Sequence, residues 1–150
     1  MLGEKLGEES GTITGTRVLP SEGGAPKVEV SFQAMGKALG VDTTDIGTYW
    51  SVMRPDGSLY GNGQGVLMAK DGGAASWTGQ GIGRFNASGG VTWRGAVYYL
   101  TGMGSLARLN SMAVVYEFET DAAQNARNVF WEWSASEHYS RPTGTARCAT

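Results

Sequence analysis

The sequence predicts an all-β fold: an eight-stranded antiparallel up-and-down β-barrel with one short helical turn. Three observations carry that prediction. Apolar residues alternate with polar ones in run after run, turn signals separate the runs at hairpin spacing, and 24 glycines accompany only four prolines among 150 residues. A chain of that length closes one ordinary core, and its glycine excess without proline speaks for strands and tight turns rather than a disordered linker.

The alternation is explicit. "KVEVSFQAM" sets Val28, Val30, Phe32 and Ala34 against Glu29, Ser31 and Gln33. "SMAVVYEFET" sets Met112, Val114, Tyr116 and Phe118 against Val115, Glu117 and Glu119, and "NVFWEW" sets Val129, Trp131 and Trp133 against Phe130 and Glu132. Period two with β-branched and aromatic residues means strands with two unlike faces. "RPDGS" at 54–58 orders proline, aspartate and glycine as a type I turn with a glycine bulge requires. "KDGG" at 70–73 and "NASGG" at 86–90 are similar, and "DAAQNA" at 121–126 makes a looser hairpin. The candidate strands are 9–19, 26–38, 43–54, 58–70, 74–85, 90–101, 111–120 and 126–134, with a helical turn at 104–110. Laid flat, eight such strands would expose two edges, and closure removes them. A two-sheet sandwich usually needs longer connections. The barrel domain is placed at 1–133. The tail, 134–150, loses the alternation and is set aside as a flexible appendage, even a non-native one.

The composition excludes several functions. With 12 basic and 14 acidic residues and no basic run, the surface suits neither nucleic acid nor an anionic membrane. The single cysteine, Cys148, makes no internal disulfide. "MLGEKLGEES" lacks the apolar stretch of a signal peptide, and no run reaches the ~20 apolar residues of a membrane span. A soluble cytoplasmic protein is expected. His138 is the only histidine and lies in the tail, which argues against a multi-histidine metal site or a buried catalytic triad. No metal is expected, and no motif indicates a cofactor.

Two glycine clusters, "YGNGQGV" at 60–66 and "SWTGQGIGRF" at 76–85, invite a phosphate-loop reading. That reading requires a helix after the glycines, and none follows. Gly61, Gly63 and Gly65, then Gly79, Gly81 and Gly83, alternate, so on strands they form bare stripes on one face each. A bare stripe permits sharp coiling or subunit packing, or makes room for a ligand. A three-residue bulged loop at "KDGG" would lay the stripes side by side; a two-residue loop would oppose them.

The run "SWTGQGIGRFNASGGVTWRGAVYYLTG" followed by "LARLNSMAVVYEFE" resembles a group of uncharacterised bacterial barrel proteins akin to the allene-oxide-cyclase-like and dirigent-like barrels. The resemblance spans most of residues 10–133 in style and carries no catalytic motif. It implies an eight-stranded barrel, often oligomeric, whose interior binds a hydrophobic small molecule. "GTYWSV" at 47–52 and "SWTGQ" at 76–80 also resemble segments of the avidin family. The later part of that pattern does not match, so biotin is not expected.

Carboxylates are the remaining acid–base candidates: Glu29, Glu117, Glu119 and Glu132 inside apolar strands, and Asp42 and Asp45 before "IGTYW". Facing outward, each is a solvated residue; facing inward, it is desolvated and fit for proton transfer. Glu117 is singled out as catalytic because Val115 shares its face, with Glu29 next. Arg94 either polarises a carbonyl, pairs with Glu117 or lies along the outer wall. Tyr98 and Tyr99 are candidate hydrogen-bond donors to a ligand, and Asn62 and Gln64 would orient one if their face is the interior. Five tryptophans, Trp50 and Trp93 among them, provide core and interface mass or line a flat aromatic pocket. Two functions follow. One is a barrel binding an apolar or aromatic small molecule, with cyclisation, isomerisation or hydrolysis through a buried carboxylate. The other is a carrier or structural homo-oligomer with a filled core.

Overall fold

The computed structural model describes residues 1–102 and 104–136. Strands β1 (Leu2–Glu22), β2 (Ala25–Ala38), β3 (Val41–Met53), β4 (Leu59–Ala69), β5 (Ala74–Phe85), β6 (Val91–Thr101), β7 (Val114–Thr120) and β8 (Asn125–Trp133) close in sequence order into one antiparallel barrel. A 3-10 turn, Ala107–Ser111, joins β6 to β7. His138, Cys148 and most of the tail lie outside the described residues. Ser134, at the tail's start, bonds through its backbone N–H to the Met1 carbonyl, 3.0 Å. No helix among the described residues is long and apolar enough to cross a membrane.

The hairpins form as their turn chemistry dictates. In "RPDGS" the Gly57 N–H bonds to the Arg54 carbonyl and Gly57 takes φ 84°, a conformation that costs glycine nothing. "KDGG" closes in the same way with Gly72 at φ 96°. This bulged loop sets Gly61 opposite Gly81 and Gly63 opposite Gly79, so the two bare stripes are neighbours.

Both stripes face inward. A Cβ at Gly61 would meet the Trp93 ring at 2.8 Å, and one at Gly81 would meet the Tyr116 hydroxyl at 2.5 Å. That fixes the interior parity of β3 to β6 as odd, while β2, β7 and β8 point even-numbered residues inward: Phe32, Ala34, Val114, Phe118, Ala126 and Phe130 are all buried. The last strand therefore turns Phe130 to the core and leaves Trp131 and Trp133 outside. β1 starts seven residues earlier than the sequence pattern suggests. Two of its residues oppose one of β8 at Lys5–Gly7, and such a bulge switches the inward parity from Leu6 to Glu9.

Two apolar clusters fill the barrel's ends. Leu109 of the 3-10 turn and Leu106 just before it plug one end against Leu6, Leu67, Val114 and Phe130. Phe32, Leu59, Trp93 and Phe118 pack the other. Trp77 and Tyr116 pack against both clusters and mark the level between them.

Candidate functional site

A cavity of about 60 Å³ lies at that middle level. Its floor is the glycine ground of β4 and β5, where Gly61, Gly63 and Gly79 leave bare backbone. Its walls are aromatic. Tyr49 meets Trp93 edge-on at 5.6 Å and Phe118 at 6.0 Å, and Phe32 stacks on Trp77 at 6.2 Å.

Against this apolar lining stands a pair of carboxyls. Glu9 is 3% exposed and Asp45 4%. In the register Glu9 sits opposite Gly36 of β2, and Asp45 opposite Ala34. Those small residues allow the two side chains to reach each other across the strand, since a Cβ at Gly36 would crowd Glu9 Cα at 2.6 Å. The Trp77 indole N–H donates to Asp45 Oδ1 at 2.8 Å, and the Asn128 amide donates to Glu9 Oε1 at 3.2 Å.

Burial penalises both charges. It pushes Glu9 up to about 9, with the neighbouring Asp45 adding to the effect. Asp45 is also raised by burial, but hydrogen bonds from Glu9 and Trp77 hold it back. The pair thus keeps a proton at neutral pH, on Glu9, with Asp45 as its acceptor. Burial and the same two carboxyls raise the Tyr99 phenol well above its ordinary value, and burial pushes Tyr116 up to about 12. Both stay neutral O–H groups. At this level Asn128 Oδ1 finds no partner among the described residues, while the Trp93 indole N–H lies toward the Tyr49 hydroxyl. Asp45, Asn128, Trp93 and Tyr99 all line the cavity. What the arrangement supplies is a stored proton, a carboxylate facing apolar space and one spare acceptor.

Of the residues singled out from the sequence, Trp93 and Tyr99 stand in this site. Asn62 borders the cavity along its strand, but lies between inward Gly61 and Gly63 and so takes the outer parity; Gln64 is exposed outside. Trp50 lies on the outer wall, beneath Lys27 Nζ at 4.4 Å and against Tyr60. Tyr98 is 54% exposed. The register corrects the inward placement of Glu117 and Glu29, and of the readings offered for Arg94 it is the ion pair with Glu117 on the outer wall that the structure shows. Glu117 and Arg94 are opposite one another on β7 and β6 and pair on the outer surface at 3.3 Å, while Glu29 pairs with Arg17 at 3.1 Å. Period two shows which residues share a face, not which face is inside, and the bare glycine stripe settles that against Glu117. Because the Arg94–Glu117 pair is solvent-exposed, Glu117→Gln is expected to change stability by less than ~0.5 kcal/mol in a urea titration.

The sequence pattern put Asp45 among the acid–base candidates without singling it out, and Glu9 and Asn128 were missed. The signal was present. Glu9 alternates with Gly7, Gly11 and Ile13, and Asp45 with Thr43, Gly47 and Tyr49. Each is a carboxylate on the same parity as glycines and aromatics, as the bare stripes are.

No protein-family model and no curated protein sequence matches the chain. Solved structures do match its fold. A conserved protein of unknown function from Rhodopseudomonas palustris superposes with a TM-score of 0.73 at 13% identity, covering 88% of this chain and 98% of its own. A β-barrel-like protein from Acinetobacter baumannii gives 0.74 at 11% identity, covering 88% and 94%. An enzyme from Penicillium herquei gives 0.59 at 16% identity, covering 86% and 92%. At these identities the likeness is one of fold, and it agrees with an eight-stranded barrel akin to uncharacterised barrel proteins.

Proposed function

We propose that the barrel binds a small, flat, largely apolar molecule in its interior and moves a proton on it through the Glu9–Asp45 pair. The observation that carries this reading is the pair itself: two carboxyls buried to a few per cent exposure beside an aromatic-walled cavity. Buried carboxyls without counter-charge cost stability, and functional sites are where such costs concentrate. The enzyme among the structural neighbours shows that a barrel of this shape supports catalysis in another protein.

Asp45 is the member that lines the cavity, with Glu9 behind it as the proton reservoir. Asp45 takes a proton from one position of the ligand and returns one to another, so no net proton is consumed. That balance suits isomerisation or ring closure, with the aromatic walls fixing the ligand's conformation. The spare acceptor Asn128 Oδ1 calls for a ligand carrying an O–H or N–H group.

5-Fluoroindole is flat, apolar, uncharged across the working pH range and carries one N–H; being larger than the resting cavity of about 60 Å³, it enters by spreading the aromatic walls. Its ¹⁹F resonance is expected to shift saturably with the protein. Gly79→Leu, which fills the floor, should abolish the shift, and Asp45→Asn should weaken binding by at least about tenfold. Equal shifts with wild type and Gly79→Leu would place binding elsewhere and sink the proposal. A second reading, a filled barrel with a structural role, draws on the two apolar clusters that plug its ends. It predicts no saturable shift at all.

A further inference from the structure

The outside of the barrel is divided as sharply as the inside. The outward positions are Ser31, Gln33 and Met35 on β2, even residues 44–52 on β3, 60–68 on β4 and 74–82 on β5, then Ala96, Tyr98 and Leu100 on β6. None of them is charged. Their cross-strand rows are continuous: Gln33–Ile46–Val66–Ser76–Leu100 and Ser31–Thr48–Gln64–Thr78–Tyr98. Ile46, Val66, Tyr98 and Leu100 are all exposed, Leu100 by 74%. Charges begin at the margin, with Lys27, Glu29 and Lys37 on β2, Asp42 on β3 and Arg84 and Arg94 on β5 and β6, and at one edge Lys27 reaches over Trp50 and Arg54 over Tyr60. The opposite wall, by contrast, carries Lys5, Glu8, Glu117, Glu119 and Arg127 around one open groove.

We infer that this uncharged wall is where a second copy of the chain docks about a two-fold axis. A core stripped of charge inside a charged rim is the anatomy of a protein interface. On a closed barrel one partner reaches the central strands β3–β5, which at ~4.8 Å spacing with about five outward residues each make a footprint on the order of 500 Å², toward the low end of one partner's share of a small specific dimer. The wall also matches itself. Thr48, Asn62, Gln64, Thr78 and Gln80 at its centre each donate and accept, so two copies face to face satisfy one another without apposing like charges. The same amides make the wall a poor surface for lipid hydrocarbon. This inference is independent of the interior site.

Sedimentation velocity across a concentration series tests it. Wild type is expected to dimerise, whereas Gln64→Arg and Gln64→Glu, each placing like charges at the two-fold centre, should sediment as monomers with unchanged far-ultraviolet circular dichroism. Mixing the two variants should restore the dimer, which no folding defect would do. A wild-type protein still monomeric at about 1 mM, or a Gln64→Arg dimer as tight as wild type, would overturn the assignment. So would a wild-type monomer that floats with phosphatidylcholine vesicles, which would give the wall to lipid.

Discussion

Glu9→Gln is expected to stabilise the protein by about 2–4 kcal/mol at pH 8 and to change little near pH 4.5. The sign follows from the proton. Glu9 holds it up to about 9 in the fold, against an ordinary value of 4.5 in the unfolded chain. Between those values the folded state binds more protons than the unfolded one, so stability is fully present below about 4.5 and is lost as pH rises through about 9. Asp45, also raised, adds to the same slope. Glutamine keeps the shape, still accepts from Asn128 and needs no proton. Urea titrations of both proteins at half-unit steps from pH 4.5 to 9.5 measure the effect. Parallel stability curves across that window would mean that Glu9 gains no proton on folding.

Gly65→Ala is expected to cost about 3 kcal/mol, at the upper end for overpacking. The added methyl would overlap the Trp77 indole at Cε2, Cζ2 and Nε1. The ring has no room to yield, being stacked on Phe32 on one side and tied through Nε1 to Asp45. Gly79→Ala is the control. Its Cβ would meet only the Ala96 carbonyl at 3.2 Å and Val97 Cβ at 3.5 Å, so the cost should stay below about 1 kcal/mol while the cavity shrinks. Thermal melts of both variants separate the glycines that admit a ring from those that leave space for a ligand. Equal losses would show that the stripe serves strand curvature alone.

The fold was legible because its signals are local. Alternation in β2 and β7 and the turns at 54–58 and 70–73 each specify their own neighbourhood, and nearest-neighbour pairing does the rest; the sequence leaves open the bulged form of the loop at 70–73. The site was less legible because it depends on which face is inside. Val115 beside Glu117 looked like burial, yet Val115 is an outer-wall residue. Glu9 sits beyond a bulge that reverses the parity of β1 and among acidic neighbours that suggest a solvated terminus. Its partnership with Asp45 and Asn128 joins positions 36 and 119 residues apart, and only barrel closure brings β8 back to β1. Trp93 and Tyr99 line the cavity, but the sequence named Tyr98 beside Tyr99 and Trp50 beside Trp93, and alternation alone does not choose between the two faces.

The proposed chemistry requires a proton kept inside an apolar barrel. Carboxyl ¹³C NMR of protein labelled at glutamate, titrated from pH 5 to 10 with and without 5-fluoroindole, tests this most directly. One resonance should titrate near 9, be missing from Glu9→Gln, and shift when the ligand binds. If Glu9 instead titrates in the ordinary carboxylate range and ignores the ligand, the interior stores no proton and the proposed chemistry fails.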